Sequence, residues 1–160
     1  MQTLKTLSVA AILSLAATIP NAYALKDGQK FKDWTGQCET VEGKKFCGIS
    51  QTVFDKEKKP LVNIFIRKVE GQADPLAFVK VPLGVNLLAG LGLAVDKKEI
   101  AQVPYTVCDP AGCNAIIPLK SDLLSKIKKG KKLQVGMLYN GKEIVLSASL
   151  SGVSKALKAL

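Results

Sequence analysis

The cysteines of this chain fall into two short-spaced pairs, and that spacing restricts the fold more than any other feature. Eight residues separate Cys38 from Cys47, and four separate Cys108 from Cys113. Four cysteines allow three pairings. Each short pair brackets a turn signal, Val41-Glu42-Gly43-Lys44 in the first and Asp109-Pro110-Ala111-Gly112 in the second. Local pairing places each bond across the loop end of a β-hairpin. In the chain-entropy model the two local loops contribute about 2.7 and about 2.2 kcal/mol, and a crossed Cys38–Cys108 bond about 4.4 kcal/mol. Proximity within a hairpin, rather than energy, favours the local pairs. A metal site is disfavoured, because neither spacing is C-x-x-C and the chain has no histidine. A redox pair would need C-x-x-C at a helix start.

Disulfides point to an oxidising compartment, and the N-terminus reads as the means of reaching it. Residues 1–24 have the pattern of a secretory signal peptide. Lys5 supplies the positive start, and an apolar run over 7–19 is broken only by Ser8, Ser14 and Thr18. Pro20 ends the run, and Ala22-Tyr23-Ala24 fits the small-x-small cleavage rule. A permanent anchor needs about 20 apolar residues, so no transmembrane anchor is expected after cleavage. The expected product is one periplasmic or secreted bacterial domain, residues 25–160. It carries 22 Lys+Arg against 13 Asp+Glu over 136 residues, a net +9. A chain of this size buries enough surface for one core. No linker, repeat or low-complexity stretch divides it.

Strand patterns dominate that domain. Residues 31–39 hold the only tryptophan, Trp34, and lead into Cys38. Over 45–54 the chain alternates, with Phe46, Gly48, Ser50, Thr52 and Phe54 on one face and Cys47, Ile49, Gln51 and Val53 on the other. The charged run 55–60 is a solvated turn. Residues 61–69 form a strand with Leu61, Asn63, Phe65 and Arg67 on one face, and 76–81 form another. Residues 103–108 pair with 113–119 across the second cysteine turn. Residues 131–139 and 142–150 flank Asn140-Gly141, a strong hairpin signal because a type I′ turn needs positive φ twice. Ser121-Asp122 is placed to cap a short helix through Lys129, with Gly130 ending it. Val153, Ala156, Leu157 and Leu160 repeat at helical spacing near the C-terminus. Eight or nine strands with one or two short helices predict an all-β antiparallel sandwich or barrel.

Trp34 and Cys38, followed by Cys47-Gly48-Ile49-Ser50-Gln51, resemble the opening of the invasion-associated locus B family. Pro82-Leu83-Gly84 and Gly90-Leu91-Gly92-Leu93-Ala94-Val95-Asp96 are similar to its middle. Tyr105-Thr106-Val107-Cys108, Gly112-Cys113-Asn114-Ala115 and Ser149-Leu150-Ser151-Gly152-Val153 with Ala156-Leu157 are similar to its last third. One departure is Val153, where the family usually carries an aromatic. The resemblance implies a small exported bacterial protein with an immunoglobulin-like antiparallel β-sandwich, linked in some members to host-cell invasion or colonisation. It supplies no catalytic residues.

Three features are candidates for function. Lys126, Lys128, Lys129, Lys131 and Lys132 put five lysines in seven positions. They suit an anionic envelope or host-surface component. Without arginine or interleaved aromatics the cluster has no specific nucleic-acid readout, and its bland reading is a solvated helix end. Residues 81–95 lack charge and read as two core strands around a Gly-rich turn, or as an exposed apolar contact loop. Gly90-Leu91-Gly92 is no dinucleotide fingerprint, since the third glycine is missing. No cofactor is expected. Trp34 reads as core packing against a disulfide. Without histidine the Ser-His-Asp and Cys-His mechanisms are excluded. Asp33, Asp96, Asp109 and Asp122 form no pair in sequence, leaving a carboxylate-dependent hydrolase as a minor alternative. The reading is a non-catalytic binding protein with no metal site. A periplasmic structural or chaperone-like role is the main alternative.

Overall fold

A computed structural model describes residues 25–160. The expected signal peptide lies outside the described residues. In chain order the elements are β1 (Lys30–Phe31), β2 (Trp34–Val41), β3 (Lys44–Phe54), β4 (Pro60–Arg67), β5 (Leu76–Val81), β6 (Leu91–Val95) and β7 (Lys98–Val103). Then come β8 (Val107–Asp109), β9 (Gly112–Pro118), helix α1 (Ser121–Lys129), β10 (Lys132–Tyr139), β11 (Lys142–Ser149) and helix α2 (Val153–Lys158). Seven strands make one sheet in the order β1-β2-β3-β4-β5-β9-β8, and four make the other in the order β11-β10-β6-β7. Every pairing between these strands is antiparallel. The mostly antiparallel β architecture with two short helices is the one the sequence predicts.

The period-2 pattern decides which face of each strand is buried. On β4, Val62, Ile64 and Ile66 are buried, while Leu61, Asn63, Phe65 and Arg67 lie on the outer face. From the first sheet Ile49, Val79, Ala115 and Ile117 join them, and from the second Leu91, Leu93, Val135 and Met137. Leu123 and Ile127 of α1, with Val153, Ala156 and Leu157 of α2, complete this single core. Trp34 sits in it at 0% exposure.

Both local disulfides form. Cys38 and Cys47 are direct cross-strand partners on β2 and β3, as are Cys108 and Cys113 on β8 and β9. The Asn140-Gly141 turn has φ of 47° and 76°, as a type I′ turn requires.

Several local expectations need correction. Residues 31–39 are not one strand, because Lys32 takes φ 60° and folds β1 back on β2, pairing Phe31 with Trp34. Val103 belongs to β7 in the second sheet. Pro104, lacking an N–H, interrupts the run, and pairing with β9 starts only where Thr106 N–H donates to the Asn114 carbonyl. Ser121 and Asp122 do not cap α1. Its N-cap is Lys120, and no side chain caps it. Gly130 does end α1, but at φ −75° rather than in a left-handed conformation. Residues 82–90, between β5 and β6, cross from one sheet to the other. Leu83, Leu87 and Leu88 of that loop are exposed, Leu88 at 100%.

Candidate functional site

The lysine cluster lies where α1 ends and β10 begins. Burial of Leu123 and Ile127 fixes the face that α1 turns inward, so Lys126, Lys128 and Lys129 are exposed. Lys131 and Lys132 are exposed too. The backbone beneath them is well held. Asp96, in the β6–β7 turn, accepts the N–H of Lys131 at 3.0 Å and of Lys132 at 2.9 Å. Ser154 of α2 donates its hydroxyl to the Lys128 carbonyl at 3.0 Å, tying the two helices together. Among the described residues only Lys126 of the five has an ion-pair partner, Asp122 at 3.7 Å. That pair is exposed and worth little. The other four ammonium groups are left for solvent or a ligand, and the three on α1 also offset its C-terminal dipole.

The structure separates the four acids. Asp33 lies between β1 and β2, Asp96 in the β6–β7 turn, Asp109 at the end of β8 and Asp122 in the first turn of α1. Asp109 accepts the Ala111 N–H at 2.7 Å and so shapes its own turn. Among the described residues no cluster of three or more His, Cys, Asp or Glu is placed to hold a metal.

Trp34 and Gln51 do structural work at the seam between the sheets. The outward N–H and C=O of Ser149, on edge strand β11, have no ladder partner among the described residues. The Gln51 side chain accepts the Ser149 N–H at 2.7 Å and donates to its carbonyl at 3.0 Å and to the Asp33 carbonyl at 2.8 Å. Trp34 Nε1 donates to the same Ser149 carbonyl at 3.0 Å. Beside the first disulfide the Leu25 carbonyl lies 3.6 Å from Cys38 Sγ and 3.7 Å from Cys47 Sγ.

One surface escapes sequence reasoning. On the outside of the seven-stranded sheet, strands β2 to β5 line a groove of about 470 Å³ that includes Phe46, Phe65, Phe78 and Arg67. Alternation on β4 put Phe65 and Arg67 on one face. Their neighbours come from three other strands, and only the register brings those together.

A family model for the invasion-associated locus B protein matches residues 34–160. The chain belongs to that family. An invasion protein B homolog of Brucella abortus strain 2308 is 21% identical over 154 residues, covering 94% of this chain and 87% of that protein. A homolog from B. abortus biovar 1 strain 9-941 matches to the same extent. The crystal structure of invasion-associated protein B from Bartonella henselae shares the fold, with TM-score 0.69 and 24% identity over 81% of this chain and 90% of that one. The residues that carry the family resemblance have distinct tasks here. In Cys47-Gly48-Ile49-Ser50-Gln51, Cys47 holds the disulfide, Ile49 fills the core and Gln51 closes the seam. Gly48 underlies the Phe65 ring, which a Cβ there would strike. Gly152, at φ 91°, precedes α2 where a Cβ would meet the Phe31 carbonyl. Val153, at the position that usually carries an aromatic, is buried in the core.

Proposed function

We propose that this chain is an exported, non-catalytic interaction protein of the bacterial envelope that engages an anionic envelope or host-surface component. Lys126, Lys128, Lys129, Lys131 and Lys132 are the contact residues. The observation that carries this reading is the set of four exposed ammonium groups that have no ion-pair partner among the described residues, on a backbone held by Asp96 and Ser154. The two disulfides support export. Among the described residues no helix is long and apolar enough to cross a membrane. The invasion protein B names of the relatives support a host-directed role.

Changing all five lysines to glutamine tests the reading. The variant should elute from immobilised heparin and from lipopolysaccharide at clearly lower salt than the parent, since exposed charge contacts are screened by salt. Unchanged retention at low salt would sink it. A periplasmic structural or chaperone-like role is the second reading. It is favoured by β11, an eight-residue edge strand with Val145 exposed. Dimerisation abolished by Val145→Pro would support that reading over the first.

A further inference from the structure

The groove on the outer sheet face is built differently from the lysine surface. Arg67 is the only arginine in the chain. Its guanidinium carbon lies 5.4 Å from the Phe46 ring centroid and 5.5 Å from that of Phe78. Two aromatic rings thus hold the cation by cation–π attraction. Among the described residues its N–H groups have no hydrogen-bond or ion-pair partner. Glu39, the acid on the groove wall, lies beyond ion-pair distance. A guanidinium fixed in this way offers a planar fork of donors suited to a carboxylate.

The rest of the groove selects the body of the ligand. The rings of Phe65 and Phe78 stand 6.2 Å apart, tilted by 46°, and present apolar faces. Gly48 makes room for the Phe65 ring to lie low over the sheet. Gln37 and Asn63 add side-chain amides to the wall. Asn63 Nδ2 donates to Thr52 Oγ1 at 2.9 Å, which leaves its amide oxygen as an acceptor. The volume falls within the usual range for small-ligand sites, but the groove is open along its length. An alkyl chain laid in it would stay half in water. A bare phosphate would use Arg67 and leave the rings idle. A pyranose ring has an apolar face for stacking and hydroxyls for the amides and solvent, and a carboxylate on it would meet Arg67.

The geometry points to a binding site for an acidic sugar, a pyranose carrying a carboxylate, centred on Arg67, Phe46 and Phe78. The site is separate from the lysine cluster and goes beyond the role proposed for it.

The test is NMR titration of the disulfide-bonded protein with methyl β-glucuronoside, methyl β-glucoside and acetate. The glucuronoside should shift the ring protons of Phe46, Phe65 and Phe78 and the Arg67 Nε–H. It should bind at least fivefold more tightly than either the glucoside or acetate. Arg67→Gln should abolish that preference. Phe46→Leu, at a position 39% exposed, should weaken binding at least threefold without touching the core. The variant with all five lysines changed to glutamine should bind like the parent, so failure of the lysine reading and failure of this one are distinguishable. Equal binding of glucuronoside and glucoside, acetate binding as tightly as the glucuronoside, or full affinity in a folded Arg67→Gln protein would each overturn the assignment.

Discussion

Replacing Gln51 by leucine tests whether one side chain closes the seam between the two sheets. The substitution keeps the approximate volume and removes three hydrogen bonds, one from Ser149 N–H and two to the Ser149 and Asp33 carbonyls. At roughly 1 kcal/mol net for each bond, the loss is about 3 kcal/mol. The 136 described residues imply an unfolding entropy near the midpoint of about 0.29 kcal/mol/K, so the melting temperature should fall by about 10 °C. A sharper result comes from pairing it with Trp34→Phe. Either single change leaves the Ser149 carbonyl one of its two donors, Trp34 Nε1 or Gln51 Nε2. The double change removes both and strands a part-buried carbonyl, so its cost should exceed the sum of the singles by about 1 kcal/mol or more. Urea unfolding of the four proteins gives the coupling directly. A Gln51→Leu cost below about 1 kcal/mol, or additivity within about 0.3 kcal/mol, would refute the shared-acceptor argument.

Replacing Cys38 and Cys47 together by alanine should lower stability by about 2.7 kcal/mol, and replacing Cys108 and Cys113 by about 2.2 kcal/mol. Urea midpoints with and without reductant give both values. The Tyr105 hydroxyl has no hydrogen-bond partner among the described residues, and burial raises its pKa above the ordinary tyrosine value of 10.0. The folded state therefore keeps this proton at pH values where the unfolded chain has lost it. Its contribution is level below about pH 10 and falls as pH rises further. Tyr105→Phe should flatten that alkaline loss, and at neutral pH should be neutral or stabilising by up to about 1 kcal/mol, both measured by urea titration across pH. Gly48→Ala would drive a Cβ into the Phe65 ring and to 2.7 Å from the Ile66 carbonyl oxygen. It should cost about 1–3 kcal/mol and displace the Phe65 ring resonances.

Legibility in the sequence followed the range of the interaction. Hairpins closed by a few residues were readable, because Asn140-Gly141 and the two cysteine turns carry their geometry locally. The β6–β7 hairpin was not. Its turn, Asp96-Lys97, takes φ of 49° and 69° without a glycine or asparagine. What stabilises it is remote, the Asp96 carboxylate accepting the N–H groups of Lys131 and Lys132. The boundary near Val103 was lost for a related reason. Alternation shows that residues form a strand but not which sheet receives it. The candidate sites divide in the same way. The lysine cluster lies within seven successive residues, so the local sequence alone exposed it.

The Arg67 groove draws on β2, β3, β4 and β5, and its rings meet only because β3–β4 pairs Ser50 with Phe65 and β4–β5 pairs Phe65 with Phe78. A one-residue slip on β4 would turn Phe65 and Arg67 toward the core. It would also expose Val62, Ile64 and Ile66, which the core now holds at 0–1% exposure. Burial of these three residues therefore fixes the register that assembles the outer groove. Core substitutions that tolerate slippage should damage the aromatic face before they unfold the domain.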